Sequence, residues 1–359
     1  MGLGSLSTFT LAEARDRAKV QRQLLADGTD PLASKRDSRL ARQIAAANVI
    51  TFDDACAAYI KAHSPGWKSV KHGDQWRNTL ATYASPVFGK LPVSDVNTAL
   101  VMRVLEPMWG GKTETATRVR GRIEKILDWS KVHGYRTGEN PARWKGHLEN
   151  SLVAPGKVMK VVHHPALPIA EMGNFMMALR QRDGTAAKAL EFAVLTAARS
   201  GEVRGATWGE LDLVAKVWTI PAERMKAGLQ HRVPLSLSSI AVLNRDSNQN
   251  HEPTDLVFPA PRGGVMSDMT LTALTRRMGV KAVPHGFRST FRDWCAENTN
   301  FPRDLAEMAL AHKLESKVEA AYLRSDNLEK RRVMMQSWAD FCNPIKIKAN
   351  VIKFKGVAA

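Results

Sequence analysis

The chain has 359 residues and a hydrophobic fraction of 44%, which allows two or three domains with buried cores and excludes wholesale disorder. Its 52 Lys and Arg outnumber 35 Asp and Glu, giving a formal net charge of +17. Because the basic residues recur in every segment, a polyanionic partner, most often nucleic acid, is favoured over a merely soluble basic protein.

The cysteines are three in number and lie far apart, at Cys56, Cys295 and Cys342. Their odd count and the lack of a Cys-x-x-Cys pair argue against disulfides and zinc. Apolar runs such as 192–198 are too short to span a bilayer, and nothing in the chain resembles a signal peptide. We therefore expect a cytoplasmic protein at the bacterial nucleoid, with no membrane partner.

Segment 1–48 is predicted to be mostly helical. Thr10 and Glu13 form a capping box for a helix that ends before Gly28, and a second helical run covers 39–48. One strand-like stretch and one helix cannot bury a core, so we expect this segment to be the end of a larger domain.

Segment 49–150 is predicted to be all-helical, with helices near 51–60, 69–83, 98–109 and 113–133. The last of these places apolar or small residues on one stripe, namely Val119, Ile123, Ile126, Leu127 and Ser130. Its other face carries the basic residues Arg118, Arg122, Lys125 and Lys131. Such a face is usually only solvated, but in a chain this basic we expect these side chains to contact DNA phosphates.

Segment 151–168 is the clearest linker, because it contains Pro155-Gly156 and several basic residues. The adjacent His163 and His164 raise the question of a metal site. No third ligand stands at a useful spacing, so a solvated linker is preferred.

Segment 169–342 has a mixed pattern. Strand alternation appears at 217–220 and again at 231–235, beyond a turn at Ala227-Gly228. Helices are predicted on both sides of this hairpin, at 169–179, 185–197, 267–278, 287–298, 302–310, 316–323 and 327–341. The fold class is therefore mainly α with a small antiparallel β-sheet. Segment 343–359 is predicted to be a loose tail or exchange arm.

Residues suited to phosphodiester chemistry are concentrated between 284 and 326. His285 and Arg288 share one face of a helix that Pro284 is expected to start, and a helix N-terminus favours a phosphate. His312 and Tyr322 follow. Histidines, an arginine and a tyrosine together can bind a phosphodiester and attack it with a phenolate.

Each of these residues has an ordinary structural interpretation when taken alone. Their order is more informative, because Arg199, with Glu202 three residues on, and Lys226 precede them in the chain. The series Arg, Lys, His-x-x-Arg, His, Tyr resembles the active site of tyrosine recombinases, the phage integrase family. Arg199-Ser200-Gly201-Glu202 is similar to the first-arginine motif of that family, and Tyr322-Leu323-Arg324-Ser325-Asp326 to its nucleophile motif.

The resemblance implies a role for each residue. Tyr322 would be the nucleophile, Arg199 and Arg288 would bind the non-bridging phosphate oxygens, and His312 would add a hydrogen bond. His285 would transfer a proton, Lys226 would be the general acid for the leaving 5′-oxygen, and Glu202 would orient its neighbours. A 3′-phosphotyrosine intermediate forms in that family without a metal or a nucleotide cofactor.

The resemblance also implies the domain organisation and partners. Segment 49–150 would be a helical core-type DNA-binding domain, 169–342 a mixed α/β catalytic domain, and 1–48 the remnant of an N-terminal arm-binding domain with a linker helix. The expected partner is double-stranded DNA at attachment sites, bound by a homotetramer in the synapse. A directionality factor or a host DNA-bending protein would be a further partner.

The expected function is therefore integration or excision of a mobile element such as a prophage. Two alternatives remain from the sequence: a type IB topoisomerase, which shares the residue constellation, and a truncated, non-catalytic DNA-binding relative. A metal-dependent nuclease is disfavoured, because no carboxylate cluster suits two metals.

Overall fold

The computed structural model describes residues 2–5, 7–47, 49–67, 70–159, 164–246, 251–312 and 325–343. The chain divides into two compact units, residues 1–161 and 162–359. Within the described ranges, no helix is both long enough and apolar enough to cross a bilayer.

The first unit is helical, as predicted. Its helices are α1 (Leu11–Ala26), α2 (Pro31–Ala47), α3 (Phe52–His63), α4 (Val70–Tyr83), α5 (Ser85–Phe88), α6 (Thr98–Trp109), α7 (Thr113–Val132) and α8 (Pro155–Val158). The capping box of Thr10 and Glu13 is present at the start of α1, which buries none of its residues. Helix α8 lies inside the segment that was predicted to be a linker.

Helix α7 runs through the core of the first unit. Its predicted stripe is buried, and Ile123, Ile126 and Leu127 are fully inaccessible to solvent. Burial of a large aliphatic side chain stabilises the fold by roughly 1.5–3 kcal/mol, so a stripe of this kind is enough to orient the helix. Phe52 on α3 packs edge-on against Phe88 on α5, with ring centroids 4.7 Å apart.

The second unit combines helices with one three-stranded sheet. Its helices are α9 (Met172–Arg180), α10 (Thr185–Thr196), α11 (Ser200–Arg204), α12 (Leu237–Leu243), α13 (Thr270–Arg277), α14 (Gly286–Asn298), α15 (Arg303–Ala309) and α16 (Leu328–Phe341). The strands β1 (Leu211–Asp212), β2 (Val217–Ile220) and β3 (His231–Pro234) pair antiparallel in the order β1-β2-β3. The mainly helical fold with a small antiparallel sheet is therefore confirmed.

Helix α10 lies at the centre of the second core, and nine of its twelve residues are buried. Trp338 of α16 is fully buried and donates from Nε1 to the Val194 carbonyl at 2.8 Å. Trp218 of β2 is also fully buried, and its ring packs on Phe192 of α10 with the centroids 5.3 Å apart. These contacts fix α16 and the sheet on α10.

Three elements of the second unit are absent from the prediction: β1, α11 and α12. Strand β1 has two residues and exists only because they pair with Val217 and Trp218, which is a tertiary effect. Helices α11 and α12 have five and seven residues, too short for a clear helical period. The helix predicted at 316–323 and nearly all of the predicted tail lie outside the described residues.

Candidate active site

Arg288 is held at the start of α14. His285 occupies the N-cap position and the helix begins at Gly286, within one residue of the prediction. The Arg288 side chain is only 4% exposed and donates from Nη1 to the Ala197 carbonyl and from Nη2 to the Leu310 carbonyl, the latter at 2.5 Å. Its Nε is buried and has no hydrogen-bond partner among the described residues.

Arg199 lies at the N-cap of α11, where the chain leaves α10. Its backbone N–H donates to Glu202 Oε2 at 2.8 Å and its Nη1 to Glu202 Oε1 at 2.7 Å. Its Nη2 reaches the Leu310 and Ala311 carbonyls, both at 3.3 Å. Glu202 is only 5% exposed, and a buried carboxylate needs a partner of opposite charge. Arg199, which Glu202 orients, supplies that charge.

The two arginines therefore converge on one point. Both Nη2 atoms donate to the carbonyl oxygen of Leu310, so they lie less than about 6 Å apart. Burial and then the nearby charge of Arg199 lower the pKa of Arg288 to about 10, and the group remains charged at neutral pH. Two cations held side by side create a site for an anion with paired oxygens.

Left-handed backbone at two helix ends supplies the carbonyls that bind these arginines. Ala197 ends α10 with φ 51°, and Ala311 follows α15 with φ 48°. At the second position Ala311 N–H donates to Met308 O and His312 N–H to Glu307 O, both at 3.0 Å, which is a Schellman motif. Because glycine usually fills such positions, an alanine at each of them costs conformational energy.

His312 is oriented by a carboxylate that the sequence reasoning missed. Its Nδ1 donates to Glu307 Oε2 at 2.6 Å, and Glu307 Oε1 accepts from Arg292 Nε at 2.6 Å. The opposite nitrogen, Nε2, lies 3.3 Å from Arg288 Nη2. Partial burial raises the pKa of Glu307, but the hydrogen bonds from Arg292 and His312 outweigh it, so its pKa is below the usual value. The only sequence signal was a carboxylate five residues before His312.

His285 has a neighbour in the segment predicted to be a solvated linker. The ring of His164 lies edge-on to that of His285, with centroids 5.2 Å apart. Burial, followed by the charges of Arg288 and His164, lowers the pKa of His285 below its ordinary value, so the imidazole is neutral at pH 7. The backbone fits closely here, because a Cβ on Gly286 would lie 2.0 Å from the Pro165 carbonyl oxygen.

Lys226 is exposed in the turn between β2 and β3, where Gly228 takes the left-handed φ of 72°. Both sides of this turn are tied to the residues described above. Arg224 donates to the Glu202 carbonyl oxygen, and the ring of His231 lies against the backbone of Ala309. The turn that carries Lys226 is thus fastened to α11 on one side and to the end of α15 on the other.

His231 is the second residue of this region that the sequence reasoning did not select. It is the first residue of β3, opposite Ile220 of β2. Burial, followed by the charge of Arg331, lowers the pKa of His231 to about 4. It is therefore a neutral imidazole next to the Ala309 backbone, which suits a structural role rather than proton transfer near pH 7.

Tyr322 lies outside the described residues, so its prediction as nucleophile is not tested by the structure. The next described residue is Ser325, three residues further along. Of the other predicted residues, Arg199 is hydrogen-bonded to Glu202 and Arg288 to His312, and the Leu310 carbonyl links the two pairs. His285 is the N-cap residue of α14, three residues before Arg288.

The predicted DNA-contacting face of α7 is only partly as expected. Arg118, Lys125 and Lys131 are exposed. The placement of Arg122 on that face was wrong, since this residue is 9% exposed, donates from Nη1 to the Gln75 carbonyl at 2.8 Å and lies over the Trp76 ring at 5.5 Å. It stands three residues after Val119 and four before Ile126, so it borders the buried stripe.

Comparison with known proteins places this arrangement in a family. Residues 52–147 match the phage integrase central domain, and residues 167–329 match the phage integrase family. The prophage integrase IntZ of Escherichia coli K12 is 30% identical, over 96% of this chain and 83% of its own length. The chain belongs to the phage integrase family. It is therefore a tyrosine-type site-specific DNA recombinase, as the motif series predicted.

Other integrases agree with this assignment. The integrase of Enterobacteria phage P4 is 29% identical, over 95% of this chain and 79% of its own length. Among solved structures, lambda integrase superposes with a TM-score of 0.60 at 16% identity, covering 88% of this chain and 90% of that one. The Tn1549 transposon integrase gives a TM-score of 0.58 at 14% identity, over 80% of this chain and 99% of that one. These two likenesses concern the fold alone.

Proposed function

We propose that this integrase cuts and rejoins double-stranded DNA through a 3′-phosphotyrosine intermediate at Tyr322, to integrate or excise a mobile element such as a prophage. The convergence of Arg199 and Arg288 on the Leu310 carbonyl is the observation that carries the proposal. Two buried or half-buried guanidinium groups that point to one place are suited to the paired non-bridging oxygens of a phosphodiester.

The arginines would act mainly in the transition state. Attack on phosphorus adds negative charge to the non-bridging oxygens, and preorganised donors stabilise that charge by about 3 kcal/mol each. His312 would add a hydrogen bond to the phosphate, and Glu307, which accepts from Nδ1, fixes the orientation of its ring. Glu202 holds Arg199 in place through its two oxygens.

Two protons move during cleavage. The bond between phosphorus and the Tyr322 oxygen forms while the bond to the 5′-oxygen breaks. His285, neutral at pH 7, takes the phenolic proton, and Lys226 gives a proton to the leaving 5′-oxygen. Rejoining runs the same steps in reverse, with a 5′-hydroxyl of the partner duplex as nucleophile, so neither a metal nor a nucleotide cofactor is required.

The partners that we propose are attachment-site DNA and further copies of the same chain. Lambda integrase is known as a tetramer bound to a Holliday junction, and the Tn1549 integrase in complex with circular intermediate DNA. By analogy, four copies of this chain would bind two duplexes in the synapse. Arg118, Lys125 and Lys131 are exposed on α7 and would contact phosphates; Arg122 is left out because it is buried.

The decisive experiment uses a nicked half-site made from DNA that flanks the gene, which traps the cleaved state. Wild type and Tyr322→Phe are incubated with it in EDTA and run on denaturing gels. A covalent protein–DNA band with wild type alone is the expected result. Tight binding without any band would instead favour a binding-only protein, and a band with both proteins would exclude Tyr322 as the nucleophile.

A further inference from the structure

Beyond the catalytic series, one carboxylate near Tyr322 is held by two arginines. Asp326 Oδ1 accepts from Arg232 Nη2 at 2.7 Å, and Asp326 Oδ2 accepts from Arg232 Nε at 2.8 Å, so the pair is bidentate. Asp326 Oδ2 also accepts from Arg331 Nη2 at 3.0 Å. Partial burial raises the pKa of Asp326, but these two arginines outweigh it and keep its pKa below the ordinary value.

Arg331 makes this cluster part of the core rather than a surface ion pair. It is 1% exposed, although it lies on the second turn of α16. Its Nε donates to the backbone oxygen of Asp326 and its Nη1 to that of Arg232, both at 2.7 Å. A buried arginine is tolerated only when its donors are satisfied, so the position of Asp326 is tightly constrained.

The same strand also holds the other end of the segment that carries Tyr322. Arg232 is the second residue of β3, and the ring of the first, His231, lies against the backbone of Ala309. Ala309 is followed by Leu310, whose carbonyl binds both arginines of the proposed site. Of two consecutive residues of β3, His231 thus lies against Ala309 and Arg232 binds Asp326, and these two positions stand before and after the proposed nucleophile in the chain.

Chain length makes Asp326 the more influential of the two ends. Tyr322 stands four residues before it, and an extended chain spans at most about 3.6 Å per residue. Moving Asp326 changes the region that the phenol can reach.

We infer that Arg232, Asp326 and Arg331 form a positioning cluster, which fixes the tyrosine segment to β3 so that the nucleophile reaches the phosphate bound by Arg199 and Arg288. None of the three residues touches the reacting atoms. They affect the distance and angle of attack. The reaction rate depends steeply on both, since a displacement of about 1 Å lowers it on the order of 100-fold. This inference rests on the proposed role of Tyr322.

The test compares Asp326→Asn and Arg232→Ala with matched controls. Arg232→Ala is the safer variant for folding, because the side chain is 45% exposed and Arg331 keeps its carboxylate partner. The controls are Arg332→Ala and Asp340→Asn on the same helix, whose side chains pair with Glu329 at 3.1 Å and with Gln336 at 2.8 Å and share no hydrogen bond with the three cluster residues. Each protein is mixed with saturating nicked half-site, and covalent complex is followed over time.

A positioning role lowers the rate constant for covalent-complex formation at an unchanged final yield and unchanged half-saturating DNA concentration. We expect losses on the order of 10- to 100-fold for both cluster variants and less than about twofold for the controls. A lower yield at the wild-type rate constant would indicate a merely structural role and overturn the inference, as would wild-type rates in both variants. Absence of covalent complex with wild type would instead refute the proposed function, and the inference with it.

Discussion

Arg122 in the first unit and Arg288 in the second invite comparison, since both are arginines buried on a helix. Arg122 donates to one carbonyl and covers the Trp76 ring, and burial lowers its pKa. Arg288 donates to two carbonyls, lies beside a second arginine and keeps a buried Nε without a partner among the described residues. Burial alone therefore does not mark a functional arginine. The observation that supports the proposed role of Arg288 is the second cation directed at the same point.

The largest expected effect separates these two arginines directly. Arg288→Lys replaces a planar fork by a single ammonium group, so cleavage of a nicked half-site should slow by about 1000-fold while DNA affinity changes little. Arg122→Lys is the matched substitution in the first unit and should leave the cleavage rate constant within about twofold. Single-turnover rates and binding titrations on both proteins measure this. Equal slowing in the two variants would invalidate the distinction.

The stability of the second unit is expected to depend on pH through His231. His231 has a pKa of about 4 in the folded chain and 6.5 unfolded, so the unfolded state binds the extra proton between these values. The neutral His231 therefore stabilises the folded chain fully above pH 6.5. As the pH falls toward 4, this effect is lost and the free energy of unfolding decreases by about 3 kcal/mol in total.

His231→Gln keeps a polar side chain next to the Ala309 backbone but removes the titration. Denaturant unfolding of the full chain at pH 7 and pH 4.5 measures the effect, and the variant should lose much less stability than wild type in the transition of the second unit. Identical pH dependence in the two proteins would show that His231 is not the group responsible.

The proposed general acid, Lys226, can be distinguished from the arginines by the choice of substrate. Lys226→Ala should slow cleavage by about 100-fold, because the 5′-oxygen then leaves without a proton. A 5′-bridging phosphorothioate needs no proton to leave and should restore the rate in this variant but not in Arg288→Lys. Failure of the sulfur substrate to rescue Lys226→Ala would remove this residue from the acid role.

The smallest expected effect concerns the helix end that presents the shared carbonyl. Ala311→Gly should stabilise the chain by up to about 1 kcal/mol, since glycine adopts the left-handed φ of 48° without penalty. Ala309→Gly, two residues earlier in α15, makes the same change in right-handed helix and should destabilise by about 1 kcal/mol. Thermal unfolding of both variants is the measurement. Destabilisation by both would contradict the assignment of strain to Ala311.

Local sequence patterns predicted much of the fold, and the motif series selected the residues of the proposed site. The helical stripe of α7, the strands at 217 and 231 and the start of α14 follow from periodicity, capping and proline placement. The motif series identified Arg199 and Arg288 as residue types. Their shared acceptor could not be predicted, because Leu310 is 111 residues from Arg199 and its carbonyl is available only through the turn at Ala311.

The misplacements have related causes. Arg122 lies at the border of a buried stripe, where a helical wheel does not decide between solvent and core. His164 belongs to a segment without regular structure, so only its packing against α14 reveals its contact with His285. Glu307 accepts hydrogen bonds from His312 and from Arg292, and the second comes from another helix, so a local sequence pattern does not reveal the pair. His231 meets the Ala309 backbone only because the fold brings β3 to the end of α15.

Gly286 shows how this packing restricts substitution next to the chemistry. The Pro165 carbonyl occupies the space where a Cβ would stand, and Thr290 Oγ1 donates to the Leu167 carbonyl at 2.7 Å on the same stretch. Any side chain at 286 would push the backbone of 165–167 away from α14 and disturb His285 and Arg288 together. Position 286 is therefore expected to be as intolerant of mutation as a catalytic residue, although glycine supplies no reactive group. Loss of activity in a variant at this position would reflect a steric clash with the Pro165 carbonyl and not the removal of a reacting group.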